Sequence, residues 1–244
     1  MIVTGVSRGI GAGIVRTFLA RGYNVVGNAR TATASSELTA SDRLALVDGD
    51  IGEVQSAHRV AETALKRFGF IDAVVANAGI FSAKAFTDYT LEDLHRLVST
   101  NLAGFIHITQ LAVVQMKLQK SGGSVVGITA ALADNPIAGV PASISMITKG
   151  GLNALLRSLA SEYAKDHIRF NAVAPGIVDT PLNAGDPKEF LETLSPMGTI
   201  SCVDDIANAV VYLTEANQVT GEVLHVDGGA HNGSWGARVP ADSR

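Results

Sequence analysis

Seven short apolar, β-branched runs punctuate the chain: MIVTG, NVVGNA, LALVDGD, DAVVANAG, GGSVVGIT, IRFNAVAPG and GEVLHVDGG. Between most of them the apolar residues recur every three to four positions. Runs of the first kind read as strands and the intervening period reads as helix. In the first helical stretch Ile10, Ile14, Val15, Phe18 and Leu19 share one face, and Arg21–Gly22 supplies the stop. Strand–helix–strand alternation implies right-handed crossovers, hence an α/β fold with a doubly wound parallel sheet flanked by helices on both faces. DAVVANAG is nearly continuous in apolar character, which suits a strand covered on both sides. No linker, repeat or low-complexity block divides the pattern, so a single domain is expected over residues 1–244. TATASSELTAS (Thr31–Ser41) reads as a surface loop. The stretch Asp179–Ile200 carries three prolines between a strand and a helix; it is expected to form a lid at about residues 182–200, with a static surface excursion as the alternative.

Composition narrows this picture. Of 244 residues 47% are hydrophobic and 17% charged, which suits a large buried core and excludes a disordered chain. The formal net charge of −4 leaves no electrostatic footprint for nucleic acid or an anionic membrane. No uninterrupted apolar run approaches the roughly 18 residues needed to span a bilayer. The charges within the first 22 residues argue against a signal peptide. A single cysteine, Cys202, excludes an internal disulfide and fits a reducing compartment, with the cytoplasm as the expected location.

The chemistry begins at VTGVSRGIG, where a glycine-rich turn follows a strand and opens a helix. Gly5 permits the tight turn, Gly9 lets backbone approach a pyrophosphate, and Gly11 allows close helix–sheet packing. The helix N-terminus then presents N–H groups and a positive dipole end to phosphates. This is the context of a Rossmann-type dinucleotide site. At the end of the second strand an acidic residue would receive a ribose 2′-hydroxyl, whereas arginine accommodates a 2′-phosphate. The chain places Arg30 there, with Arg8 in the nearby turn. Two guanidinium groups favour NADP(H) over NAD(H).

These motifs, in this order, resemble the short-chain dehydrogenase/reductase family over nearly the whole length. TGVSRGIG is similar to the family's cofactor turn, which implies contacts from Gly5, Ser7, Arg8, Gly9, Ile10 and Gly11. Asp50 and Ile51 resemble the adenine-side position after the third strand. Asn77-Ala78-Gly79 resembles the fourth-strand signature beside the cofactor ribose. Asn101 stands where the family keeps an asparagine that anchors a proton-relay water. APGIVDTP places Pro175, Gly176, Val178 and Thr180 near the nicotinamide carboxamide, and Asp227-Gly228-Gly229 ends the last strand. The family ordinarily has several residues before its first strand; here Gly5 already opens the turn, so that strand is expected to be short and the start trimmed or misassigned.

In that family a serine polarises the substrate carbonyl, and a tyrosine four residues before a lysine donates the proton. TKGGLNALLRSLASEYA makes Lys149 the matching lysine, with the further role of bonding the nicotinamide ribose. Counting back puts Ser145 at the tyrosine position, and Ala130 falls near the serine position, with a longer interval between them than usual. A phenol near pKa 10 can be brought toward neutrality by a neighbouring ammonium; an alcohol starts several units higher. Ser145 is therefore a poor direct proton donor, although it, Thr129 or Ser143 can orient a water or bond a carbonyl. The catalytic candidates are Asn101, Ser145 and Lys149. The expected activity is NADP(H)-dependent oxidation–reduction of a small carbonyl, enone or imine with a non-standard proton donor. The alternative is a catalytically weak or inactive NADP(H)-binding protein, a sensor or assembly subunit.

Other chemistries are not supported. None of the six histidines forms a metal-type H-x-x-x-H pair, there is no G-x-S-x-G elbow, and Cys202 reads as a helix-start residue. No metal, nucleic-acid or membrane partner is expected. LEDLHRLVSTNLAGFIHITQLAVVQMKLQ and KGGLNALLRSLASEYAKD are apolar around more of their circumference than one core face needs. In the resembling family these helices pair between subunits, which implies a homo-oligomer, a dimer or a homotetramer.

Overall fold

The computed structural model describes residues 1–137 and 139–232; the last twelve residues of the expected 1–244 domain lie outside the described part. The seven apolar runs become seven parallel strands: β1 Ile2–Thr4, β2 Val25–Ala29, β3 Leu44–Asp48, β4 Ala73–Ala76, β5 Gly123–Ile128, β6 Ile168–Pro175 and β7 Val223–Val226. They lie in one sheet in the order β3-β2-β1-β4-β5-β6-β7. The chain winds outward from β1 to β3, returns to β4 on the other side of β1, and continues outward to β7. This reversal opens a crevice at the carboxyl ends of β1 and β4. The register places Ile2 beside Val26 on one side and Val74 on the other, so β1 is central despite its three residues.

Parallel strands buried on both faces need helices on both faces, and the core divides accordingly. On one face α1 (Gly9–Ala20) and α7 (Val203–Glu215) pack with Val3, Phe18, Val126, Val173 and Ile206. A side chain at Gly13 would meet Val203 Cγ1 at 2.1 Å, so glycine sets the close approach of these two helices. On the other face α2 (Val54–Phe68), α3 (Leu91–Val98), α4 (Gly104–Gln119) and α5 (Ser143–Glu162) form the layer. Phe105, Ile108, Met116, Leu156 and Phe170 fill the core there.

The helical run Leu91–Gln119 joins α3 to α4 through a π-helical turn, Ser99–Ala103. Among the described residues it is the one helix long and apolar enough to cross a membrane by length and composition, although, as expected from the sequence, no uninterrupted apolar run within it approaches 18 residues. Its buried side, Leu97, Phe105, Ile108, Ala112, Val113 and Met116, faces the sheet as a core helix does. Leu91, Val114 and Leu118 on the other side are more than half exposed, as is Ile147 on α5.

Two connections depart from simple alternation. The link from β2 to β3 contains no helix, in keeping with the loop expected at Thr31–Ser41, yet Ala32 and Leu38 are buried and pin it against the α1 layer. The excursion after β6 is closed at its base by a bridge between Val178 and Ser201. It carries a five-residue helix, α6 (Lys188–Glu192), within mostly exposed chain.

Candidate active site

The site is assembled at the carboxyl end of the sheet, and its first part is the turn between β1 and α1. Gly5 and Gly9 both have positive φ, +71° and +59°, which glycine adopts at low cost. A Cβ at Gly11 would lie 2.1 Å from the Gly5 carbonyl oxygen, so the helix can start this close to the turn only with glycine there. Asn77, just past β4, donates from Nδ2 to the carbonyls of Thr4 and Gly5, each at 3.0 Å, and Ala78 N–H donates to Thr4 Oγ1. Asn77 and Ala78 thus hold the turn in shape. Ser7 accepts a hydrogen bond on its carbonyl from Ser35, and Ile10 packs onto the core.

This turn fits a dinucleotide. A Cβ at Gly9 would find its nearest neighbour, Thr180 Cγ2, at 3.5 Å, so the space on the Cβ side of this residue is not filled by close contacts. The sequence puts Thr180 at this turn only through the fold: it follows β6 and the buried Val178, while Gly176 is forced to glycine by Asp227, 2.8 Å from where its Cβ would stand. Arg8 and Arg30 are exposed, and neither joins an ion pair among the described residues. Asp50 turns its carboxylate onto the Gly52 N–H at 2.9 Å, while Ile51 is buried against Gly104. These three positions, Arg30, Asp50 and Ile51, lie past β2 and β3, on the opposite side of β1 from the helix that carries Lys149.

The second part gathers Gly79, Asn101 and Lys149. Asn101, 1% exposed, sits in the π-helical turn; its Oδ1 accepts from Ile80 N–H at 2.8 Å, and its Nδ2 donates to the Ile80 carbonyl and to Thr148 Oγ1. Thr148 Oγ1 in turn donates a hydrogen bond to the Ser145 carbonyl. Lys149 Nζ donates to the Ile128 carbonyl at the end of β5, 2.8 Å away. A Cβ at Gly79 would lie 2.9 Å from Lys149 Nζ and 3.4 Å from Asn101 Oδ1, so the segment after β4, the π-helical turn and α5 converge at this glycine. Burial pushes the Lys149 ammonium down from 10.5 to about 8, because desolvation disfavours its charged form.

Ser145 is buried, and its hydroxyl is engaged twice by one residue. Oγ donates to the Ser82 carbonyl at 2.8 Å and accepts from the Ser82 N–H at 3.0 Å. The position four residues before the lysine therefore anchors the chain that follows β4. Thr129 Oγ1 donates to the Val173 carbonyl, at 3.3 Å, and Ala130 follows β5 without a hydroxyl.

Sequence reading missed several participants. Tyr89 donates from its hydroxyl to the same Ser82 carbonyl at 2.6 Å, and Thr148 links Asn101 to α5. No local pattern marks either one, since both depend on contacts between distant segments. The histidines also hold a surprise. His225 on β7 and His231 stack with ring centroids 3.8 Å apart, His225 Nε2 lying 2.9 Å from an Asp134 oxygen and His231 Nδ1 at the same distance from an Asp227 oxygen. Asp134 follows β5 by six residues, and Met197 N–H bonds the Gly228 carbonyl, so the array joins the β5–α5 connection to the segment after β7 next to the lid. No group of three or more metal-binding side chains occurs among the described residues.

Comparison with known proteins gives a consistent result. A family model described as enoyl-(acyl carrier protein) reductase matches residues 5–231. The chain is 34% identical over 245 residues to 3beta-hydroxysteroid dehydrogenase 1 of Eggerthella lenta, covering 94% of this chain and 92% of that protein. It is 32% identical to an L-rhamnose 1-dehydrogenase (NAD(P)(+)) of Sphingomonas, with 95% of each covered. Among solved structures, 3-ketoacyl-(acyl-carrier-protein) reductase from Brucella melitensis complexed with NADH superposes with a TM-score of 0.87 at 28% identity, covering 94% of this chain and 97% of that one. ElxO with NADP bound gives 0.84 at 25% identity, covering 95% and 98%.

Proposed function

Because the chain belongs to the short-chain dehydrogenase/reductase family of NAD(P)-dependent oxidoreductases, we propose that it reduces a small carbonyl, enone or imine substrate with Lys149 as the proton donor. The observation that carries this reading is the Lys149 ammonium, buried beside Gly79 and Asn101 and lowered to about 8. A general acid works best when its pKa lies near the working pH. Ser145 cannot supply that acid at low cost: an alcohol titrates far too high, and its proton is committed to Ser82.

In this reading the residues divide the work. Gly5, Gly9 and Gly11 shape the turn for the dinucleotide phosphates, with Ser7 and Ile10 beside it. Asn77, Ala78 and Gly79 carry the ribose side; Pro175, Gly176, Val178 and Thr180 border the nicotinamide; Asp50 and Ile51 border the adenine. Bound there, the cofactor supplies a hydride. Lys149 Nζ gives a proton to the oxygen of a carbonyl or enone substrate, or to the nitrogen of a neutral imine, and regains one from solvent, while its remaining N–H groups hold Ile128 and the cofactor ribose. Asn101 fixes the Gly79–Ile80 backbone that borders this proton path and offers the second lone pair of Oδ1 to a relay water. Ser145 positions Ser82 rather than touching the reacting atoms. The segment at residues 182–200 closes over the substrate.

Arg8 and Arg30, both exposed and outside ion pairs among the described residues, support NADP(H) over NAD(H). The exposed apolar side chains of α3, α4 and α5 support a homo-oligomer, a dimer or tetramer. The unpaired Cys202 suits a cytoplasmic setting. The reading as a binding protein without turnover has no observation in its favour; the relatives are named for dehydrogenase activities.

The test is oxidation of NADPH and NADH against a panel of ketones, enones and imines across pH 6–10. A ketone reduction that needs the Lys149 ammonium falls as pH rises through about 8, whereas reduction of a cationic iminium shows no such limb. Absence of turnover with every substrate, or ketone reduction that stays level across the range, overturns the assignment. Gel filtration gives the second expected result: elution at two or four times 25.3 kDa, with a 25.3 kDa species contradicting it.

A further inference from the structure

The loop between β2 and β3 places a carboxylate on the cofactor turn itself. Glu37 Oε1 accepts the Gly9 N–H at 3.2 Å, and Glu37 Oε2 accepts from Arg16 Nη1 on α1 at 2.9 Å. The contact is built rather than incidental. Ala32 and Leu38, 0% and 7% exposed, are seated in the core on either side of it. Between them Ser35 Oγ donates to the Ser7 carbonyl at 2.8 Å and accepts the Glu37 N–H at 3.1 Å. Thr33 N–H adds a bond to Asp48 Oδ1 at the end of β3. The loop is thus strapped to β3 and to the turn, with Glu37 aimed at one of the turn's own donors.

We infer that Glu37 is an internal competitor for the cofactor turn, a carboxylate latch that must leave Gly9 before a dinucleotide phosphate can take that N–H. This rests on the proposed cofactor role of the turn. One N–H cannot serve a carboxylate and a phosphate at full strength, and the two anions repel across a few ångströms. The Arg16 partner remains beside Glu37 when the latch opens, so the displaced carboxylate keeps a counter-charge. Binding then carries the cost of breaking the latch, and the measured affinity is the intrinsic one multiplied by the open fraction. Glu37 differs in this from an acidic residue at the end of β2, which would accept ribose hydroxyls and strengthen binding. The two roles predict opposite signs.

The experiment titrates NADPH and NADH, by nicotinamide fluorescence, into the wild-type protein, Glu37→Ala and the near-isosteric Glu37→Gln, with a thermal melt of each. The latch predicts that Glu37→Ala binds both cofactors about 3- to 10-fold more tightly, with Glu37→Gln tighter than wild type by a smaller factor. Unchanged affinity in a folded variant, or weaker binding, overturns the latch; weaker binding of NADH in particular would make Glu37 a ribose acceptor. If Glu37→Ala does not fold, Glu37→Gln decides alone, because it removes the charge and keeps the shape. Failure of all three proteins to bind either cofactor overturns the cofactor role of the turn instead, and tighter binding by the variants than by wild type cannot arise in that case.

Discussion

Lys149→Met is expected to lower ketone reduction by about 10²- to 10⁴-fold, the range of general acid catalysis, and yet to raise the melting temperature at pH 7. The two effects share one cause. The ammonium is desolvated, its pKa lowered from 10.5 to about 8, so the folded state binds the proton less well than the unfolded chain. For a group with a lowered folded pKa of this kind, the destabilisation is complete below about pH 8 and fades as pH rises through 10.5, above which both states are neutral. Removing the amine relieves that cost at neutral pH, offset in part by the Ile128 carbonyl left without its donor. The net gain expected at pH 7 is about 1–2 kcal/mol, or about 2–8 °C in a chain of this length. The advantage over wild type shrinks between pH 8 and 10.5. Melting curves at pH 7 and pH 10 check both the sign and its loss; a variant less stable at pH 7 would show that the ammonium is held by more than the Ile128 carbonyl.

Gly11→Ala has the second large effect, acting on the cofactor turn and on the fold together. The added Cβ would stand 2.1 Å from the Gly5 carbonyl oxygen and 2.6 Å from Asn77 Nδ2. Neither neighbour can retreat cheaply. The first is backbone at positive φ, and the second is the side chain whose Nδ2 holds both Thr4 and Gly5. The expected cost is about 3 kcal/mol or more, a fall of about 6–12 °C in melting temperature. The surviving folded protein should bind NADPH at least tenfold more weakly, because α1 no longer starts where the turn needs it. Gly139→Ala serves as a comparison at a glycine where, among the described residues beyond its chain neighbours, no atom lies within 4 Å of the added carbon, although its positive φ of +86° carries a conformational cost of its own. Normal NADPH affinity in Gly11→Ala would contradict the placement of the cofactor on this turn.

Much of the fold was open to reading from the chain alone, for a local reason. Seven apolar runs match seven strands because a parallel strand buried on both faces needs a continuous apolar stretch, and VTGVSRGIG has to be a turn because its glycines stand at positions with positive φ or no room for a side chain. The candidate residues Asn101 and Lys149 were legible as well, by resemblance over a long ordered series of motifs. Less was legible where a role depends on partners distant in sequence. Ser145 and Ser82 are 63 residues apart, and Gly9 and Glu37 are 28 apart. No periodicity or motif links such pairs, since the contact exists only after the sheet order has brought β4 beside β1 and the β2–β3 loop back over the turn.

The sequence by itself determined the strand and helix content, the glycine turn and the presence of a lysine four residues past a serine, because each is a matter of local pattern and side-chain size. Only the tertiary structure decided what those residues can do. Burial, where the segment after β4, the π-helical turn and α5 meet at Gly79, lowers the Lys149 ammonium toward neutrality. The Ser82 backbone engages the Ser145 hydroxyl, and the anchored β2–β3 loop sets Glu37 on Gly9. Desolvation and hydrogen-bond partners are properties of the space around a group, and that space is made by chain segments far away in sequence.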